Sequence, residues 1–131
     1  MTRAGLAALL LCAAAPLTGC QSDIAVAVTS RQGLVEFSVP ATRPPCIDRL
    51  TVYAVSDRKN PVWLIDSADR TTCVSHFQYA RVPAGFTQRG SAAPLADGQL
   101  YLVAVGRPGA TGISFFQPGT DGSITREAPE G

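Results

Sequence analysis

A succession of short β-prone runs separated by turn residues is the feature of this 131-residue chain that most restricts its fold. From residue 24 onward, about seven such runs recur at spacings near ten residues, and none of them has helical periodicity. In the run 34–39, apolar and polar residues alternate and place Val35, Phe37 and Val39 on one face. The pattern predicts antiparallel sheets that each bury one face.

Seven runs form the predicted strands: 24–29, 34–39, 47–55, 62–65, 74–82, 100–105 and 113–116, with a short last strand around 123–125. The polar run 56–61 predicts a hairpin between the third and fourth of them. The run 100–105 is apolar throughout, so we expect a central strand buried on both faces. The expected fold is all-β: an antiparallel β-sandwich of about seven strands, immunoglobulin-like or transthyretin-like.

One turn in this pattern has a parallel in known β-sandwiches. The segment 95–101 resembles the corner in such folds where a tyrosine hydroxyl, here that of Tyr101, reaches back to the backbone. Cys46, Trp63 and Cys73 lie much closer together in sequence than the Cys, Trp, Cys series of antibody domains. The resemblance is therefore one of architecture only.

The first 19 residues differ from the rest of the chain. A short start containing Arg3 precedes an apolar run at 4–17 that is interrupted by Pro16. A membrane-spanning helix needs roughly 20 residues, so this run is too short to be a permanent span. The layout predicts a signal-peptide helix at 1–19, followed by a single domain at 20–131.

The tetrapeptide Leu-Thr-Gly-Cys at 17–20 resembles the lipobox of bacterial lipoproteins. The resemblance implies cleavage between Gly19 and Cys20 and acylation of Cys20, and two or three acyl chains anchor a protein stably at about 0.8 kcal/mol per buried methylene. Gln21 follows the cysteine instead of Asp, which in these lipoproteins implies the outer membrane, facing the periplasm. The alternative is an ordinary secretory signal in which Cys20 occurs by chance. The segments 61–63, 79–86 and 95–105 also resemble parts of small proteobacterial lipoproteins of unknown function.

Two of the four cysteines remain for the folded domain, because Cys12 leaves with the signal peptide and Cys20 is the lipidation site. In an oxidising compartment, Cys46 and Cys73 predict one disulfide, whereas a metal site would lack its third and fourth ligands.

The predicted strand order tests this disulfide. If the strands 47–55, 62–65 and 74–82 were neighbours in that order, the two cysteines would lie about 9.6 Å apart. Bridged Cα atoms lie about 4.4–6.8 Å apart. Either the middle strand stops short, or the outer two belong to different sheets or pair directly.

Charge and motifs argue against several function classes. Without Arg3, the mature chain has ten basic and ten acidic residues, so no overall field attracts nucleic acid or anionic lipid. Asp57, Asp66 and Asp69 lack the spacing of a calcium loop and predict turns, as does Asp121 with the glycine after it. We therefore expect no metal and no cofactor.

Few residues are candidates for catalysis or for contact with a partner. His76 is the only histidine, and no nucleophile-elbow sequence accompanies it, so the prediction is a protein without enzymatic activity. Phe115 and Phe116 are adjacent and must face opposite sides of a strand, which can leave one ring on an outer face.

Three functions fit these observations. The first is a non-catalytic, lipid-anchored β-sandwich of the cell envelope that acts through contacts with an envelope protein. The second is a transthyretin-like lipoprotein component of a secretion apparatus, which shares the size, anchor and fold class. The third is a small envelope hydrolase that uses His76.

Overall fold

The computed structural model describes residues 22–40, 46–69 and 71–125. The predicted signal peptide at 1–19 and the lipidation site Cys20 lie outside these residues. Every regular element that the structure describes is a strand, which confirms the all-β prediction. The strands are β1 Ser22–Asp23, β2 Ala27–Arg31, β3 Leu34–Ser38, β4 Arg49–Ala54, β5 Trp63–Ser67, β6 His76–Gln78, β7 Phe86–Gln88, β8 Tyr101–Arg107, β9 Ala110–Pro118 and β10 Ile124–Thr125.

The strands form two sheets. The larger has the order β1-β9-β8-β4-β5-β7, with β10 also paired to β9, and the smaller has the order β2-β3-β6. The pairs are antiparallel, except that β1 runs parallel to β9. The predicted hairpin is the β4–β5 pair.

One hydrophobic core joins the sheets, as expected for a β-sandwich. The ring of Phe37 in the smaller sheet lies 5.5 Å from that of Phe116 in the larger, and Phe77 lies 5.6 Å from Phe86 in the same way. Around these pairs lie the other large core side chains: Val28, Ile47, Leu50, Val52, Trp63, Ile65, Tyr101 and Val103.

Strand β8 is central in the larger sheet, between β4 and β9. Its residues Tyr101, Val103 and Val105 belong to the core, and Leu102 on the opposite face is also buried. The prediction of a central strand is therefore confirmed, but burial on its second face is complete only at Leu102, because Ala104 on that face is partly exposed. The outer face of β9 carries Ile113, which is 60% exposed, and Phe115, while Phe116 is fully buried.

The structure has more strands than the roughly seven that the sequence predicts. The additional ones are β1, of 2 residues, and β7, of 3 residues between the predicted strands 74–82 and 100–105, whereas β10 is the short last strand predicted around 123–125. Conversely, β6 covers only 3 residues of the predicted strand 74–82. The chain turns after Gln78 because Ala80 has a left-handed backbone with φ of 66°.

The disulfide joins Cys46 to Cys73, with Cα atoms 5.0 Å apart. Strand β4, which follows Cys46, lies in the larger sheet, and β6, which follows Cys73, lies in the smaller one. Of the geometric alternatives, the one with the two strands in different sheets is therefore correct, and the disulfide connects the two layers.

The sandwich has two opposite ends. At the Ser22 end, Ser22 pairs with Ala110 and Arg49 pairs with Gly106, beside the β8–β9 turn. At the other end, called the Gly33 end, lie the β2–β3 turn, the β4–β5 loop and the last residues of β9. Because β9 has 9 residues, the two ends are about 27 Å apart.

Candidate functional site

A groove of about 570 Å³ opens at the Gly33 end. Its walls come from the β2–β3 turn, residues 79–80, the segment 92–97 and the loop 118–124. Leu34, 46% exposed, contributes apolar surface together with Leu95 and Ile124. Asp97 is the one charged residue among the described lining residues, so the groove combines apolar walls with a single carboxylate.

Two tyrosines hold the segment 92–97 that forms one wall. The Tyr79 hydroxyl lies 2.5 Å from the Ala93 carbonyl and 3.3 Å from that of Val62, and its single proton is donated at the shorter distance. Burial raises the pKa of Tyr79 to about 12. The Tyr101 hydroxyl accepts a hydrogen bond from the Ala96 N–H at 2.8 Å, as the predicted tyrosine corner requires.

The facing wall contains the loop that precedes β10. The Ser30 hydroxyl donates to the Gly122 carbonyl, which connects β2 to this loop. The Asp121 carboxylate accepts from the Ser123 hydroxyl at 2.5 Å and from its N–H at 2.9 Å, and these bonds lower the pKa of Asp121. Gly122 has a left-handed φ of 78°, so the turn that the sequence predicts here is confirmed.

His76 belongs to a hydrogen-bonded row on the outer face of the smaller sheet. Its Nδ1 atom lies 3.0 Å from the Ser38 hydroxyl, and its Nε2 atom lies 3.0 Å from a Glu36 carboxylate oxygen. The β3–β6 register creates this row, because Ser38 lies directly opposite His76 and Glu36 lies two positions earlier on the same face. The His76 side chain is 55% exposed. A depression of about 330 Å³ beside the row is also lined by Arg31 and Arg81.

The row contains the types of group that a serine hydrolase needs, in order: a hydroxyl, an imidazole and a carboxylate. With its proton on Nε2, the imidazole donates to Glu36 and accepts from Ser38. Stabilisation of an oxyanion is the missing part, because backbone N–H groups of a strand lie in the plane of the sheet and do not point at a bound carbonyl. Arg31 and Arg81 line the depression beside Glu36 and His76 and bring guanidinium donors to that surface.

The predicted acidic turn residues have separate roles. Asp57 accepts from the Asn60 side-chain amide at 3.1 Å and from the backbone N–H two residues later at 3.3 Å. Asp69 accepts from the Thr71 and Thr72 N–H groups at 2.9 and 3.2 Å. These two residues are therefore turn acids, as the sequence predicts, and for both the hydrogen bonds to the turn lower the pKa of the carboxyl.

Asp66 differs from the prediction because it lies within β5 and not in a turn. Its Oδ1 atom accepts from Arg49 Nε at 2.7 Å, and this bond raises the pKa of Arg49. Arg89 Nε lies 2.7 Å from Oδ2, but it is not aligned for a hydrogen bond, so that contact is an ion pair only. The three residues line a polar depression of about 570 Å³ at the Ser22 end, together with Asp48 and Arg107.

No group of three or more His, Cys, Asp or Glu residues within 22–40, 46–69 and 71–125 is arranged to hold a metal ion. In the same residues there is no helix of the length and apolarity that a membrane span requires.

No protein-family model, no curated protein and no solved structure matches the chain. The β-sandwich assignment therefore depends on the strands themselves, and the choice between an immunoglobulin-like and a transthyretin-like subtype stays a prediction.

Proposed function

We propose that this chain is a non-catalytic, lipid-anchored protein of the cell envelope that binds a partner protein through the groove at the Gly33 end. One observation supports this more than any other. Ser22, only two residues after the lipobox cysteine Cys20, begins the strand β1 at the end of the sandwich opposite the groove. The lipid and the groove would then be separated by the length of β9, about 27 Å.

The attachment of the first strand makes this separation rigid. The Ile24 N–H donates to the Thr111 carbonyl at 2.9 Å, and the Ile24 side chain is buried. A side chain on Gly112 would clash with the Ile24 carbonyl, at only 2.1 Å, so glycine is what permits this close contact. An anchored sandwich would therefore hold its groove away from the membrane, toward proteins of the periplasm. Gln21 after the cysteine supports the outer membrane as the location.

The groove itself supports a protein partner. Its walls are held by the hydrogen bonds of Tyr79 and Tyr101, so the groove is largely formed before binding. Its volume and its mixture of apolar surface with one carboxylate suit a short apolar segment of another protein.

The test compares two exposed apolar side chains. Leu34 lines the groove and is 46% exposed, whereas Val82 lies outside its lining and is 39% exposed. Lipidated protein extracted in detergent is used to capture envelope proteins, which are identified by mass spectrometry. We expect Leu34→Asp to lose a partner that the wild-type protein and Val82→Asp both retain. A partner retained by Leu34→Asp contradicts the role of the groove, and a native protein without lipid on Cys20 contradicts the anchor.

The secretion-apparatus alternative makes the same protein a component of a larger assembly. It shares the anchor and the groove with the main proposal and differs only in the partner. Capture of other components of a secretion apparatus by the groove would support this alternative.

The row of Ser38, His76 and Glu36 favours a second function, that of a small envelope hydrolase. In such a reaction the Ser38 oxygen attacks an ester carbonyl, His76 Nδ1 takes the hydroxyl proton and returns it to the leaving alcohol, and Glu36 stabilises the charged ring. Water then hydrolyses the acyl-serine by the same route.

Esterase assays with nitrophenyl esters, combined with labelling by a fluorophosphonate, test this function. A hydrolase requires that Ser38→Ala and His76→Ala abolish both turnover and labelling, while Ser91→Ala, in an exposed loop, leaves them unchanged. Wild-type protein that neither turns over the esters nor reacts with the label contradicts the hydrolase.

A further inference from the structure

The anchor proposed for Cys20 leaves almost no spacer between the lipid and the folded domain. Two residue steps separate Cys20 from Ser22, which at full extension span about 7 Å. The headgroup layer of a bilayer leaflet is itself about 5–8 Å thick. Ser22 would therefore lie near the outer boundary of the headgroups, whatever path the two steps take.

The β1–β9 register shows which other residues lie at the same height above the bilayer as Ser22. Ser22 pairs with Ala110, and Ala110 also pairs with Arg107 across the β8–β9 turn. Because β1 runs parallel to β9, the chain before Ser22 leaves the sheet on the side of that turn. Pro108, exposed at the turn, is thus among the described residues closest to the lipid.

The depression at the same end is rich in arginine. Its described lining contains three arginines, Arg49, Arg89 and Arg107, against two aspartates, which leaves one positive charge in excess. Arg49 and Arg89 contact Asp66 through Nε, and their side chains are 54% and 67% exposed. A guanidinium has five N–H donors in a planar fork that suits phosphate oxygens, so both can bind a second anion beside Asp66.

We infer that the Ser22 end of the sandwich docks on the membrane surface, with the guanidinium groups of Arg49 and Arg89 binding phosphates of phospholipid headgroups. This inference rests on the lipid anchor of the proposed function. The tether makes docking an intramolecular step with an effective concentration in the millimolar range, so weak individual contacts suffice. Docking fixes the tilt of the sandwich, and the groove at the Gly33 end then points away from the bilayer.

The experiment uses full-length lipidated protein in vesicles of phosphatidylethanolamine and phosphatidylglycerol that contain a headgroup-attached nitroxide. Because Cys46 and Cys73 are bridged and Cys20 carries the lipid, an introduced cysteine is the intended site for a thiol-reactive fluorophore. Pro108→Cys labels the Ser22 end and Thr120→Cys labels the Gly33 end. We expect quenching of the label at 108 to be several-fold stronger than at 120.

A combined variant tests the arginines. Arg49→Gln, Asp66→Asn and Arg89→Gln together remove one positive charge without leaving a carboxylate unpaired, and emission of the buried Trp63 verifies folding. We expect weaker quenching at 108 in this variant. The matched control, Arg58→Gln with Lys59→Gln, changes two exposed cations of the β4–β5 loop at the Gly33 end and is expected to have no effect.

The outcomes separate this inference from the proposed function. Equal quenching at 108 and 120 in a protein whose mass shows lipid on Cys20 overturns docking and leaves the anchor intact. Quenching at 108 that the combined variant leaves unchanged overturns the binding of phosphates by the arginines. A mass that shows Cys20 unmodified overturns the anchor, and docking with it.

Discussion

Removal of the disulfide is expected to destabilise the domain by about 3.5 kcal/mol. The perturbation is the double substitution Cys46→Ala and Cys73→Ala. Its magnitude follows from the sequence separation of 27 residues, because a cross-link removes conformational entropy from the unfolded chain by a constant plus an amount that grows with the logarithm of loop length. A small domain is typically stable by about 5–15 kcal/mol, so the loss is a large fraction of the total.

Urea unfolding followed by Trp63 fluorescence measures this loss. Trp63 is the only tryptophan and is 1% exposed, so its emission shifts to longer wavelength when the core opens. With a slope of about 1.5 kcal/mol per M, the midpoint should fall by about 2 M urea. Wild-type protein in reducing buffer should match the variant, and the variant itself should be insensitive to reductant. Equal midpoints for wild type and variant in oxidising buffer would refute the entropic argument.

Two further predictions concern the first strand and the wall of the groove. Gly112→Ala places a Cβ atom 2.1 Å from the Ile24 carbonyl and should destabilise the domain by about 1–3 kcal/mol in thermal unfolding, whereas Gly106→Ala, with open space around it, should cost much less. An equal loss for both substitutions would contradict the close contact at Gly112. Burial raises the pKa of Tyr79 to about 12, so the neutral phenol contributes stability below pH 10 that is lost as the pH rises toward 12. In unfolding experiments between pH 10 and pH 12, Tyr79→Phe should lose less stability with rising pH than the wild-type protein. Equal pH profiles for the two proteins would contradict the assignment of this loss to ionisation of Tyr79.

The sequence predicts the architecture well because the architecture follows from local patterns. Alternation identifies the main strands, the continuous apolar run identifies β8 as central, and the spacing of Cys46 and Cys73 restricts the arrangement of the sheets. The short strands β1 and β7 escape prediction because two or three residues are too few for alternation to be recognised. Their positions depend on the longer strands beside them.

The candidate sites are much less predictable. His76 stands out in the sequence as a lone histidine, but its partners lie 38 and 40 residues away and become neighbours only through the β3–β6 register. The sequence predicts a turn at Asp66, but β5 extends through this residue. The groove is formed by four separate segments of the chain, so no single sequence motif predicts it.

The brevity of the outermost strands limits where one copy of this chain could add to another. At three of the four sheet margins, the terminal strands are β1 and β10, of 2 residues each, and β6 and β7, of 3 residues each. Long unpaired margins are templates on which identical chains add to one another. The short strands give a neighbouring copy only a few backbone groups to pair with. Addition of another copy would instead have to use the 5-residue β2 or residues 112–116 of β9, which lie between the positions paired with β1 and with β10.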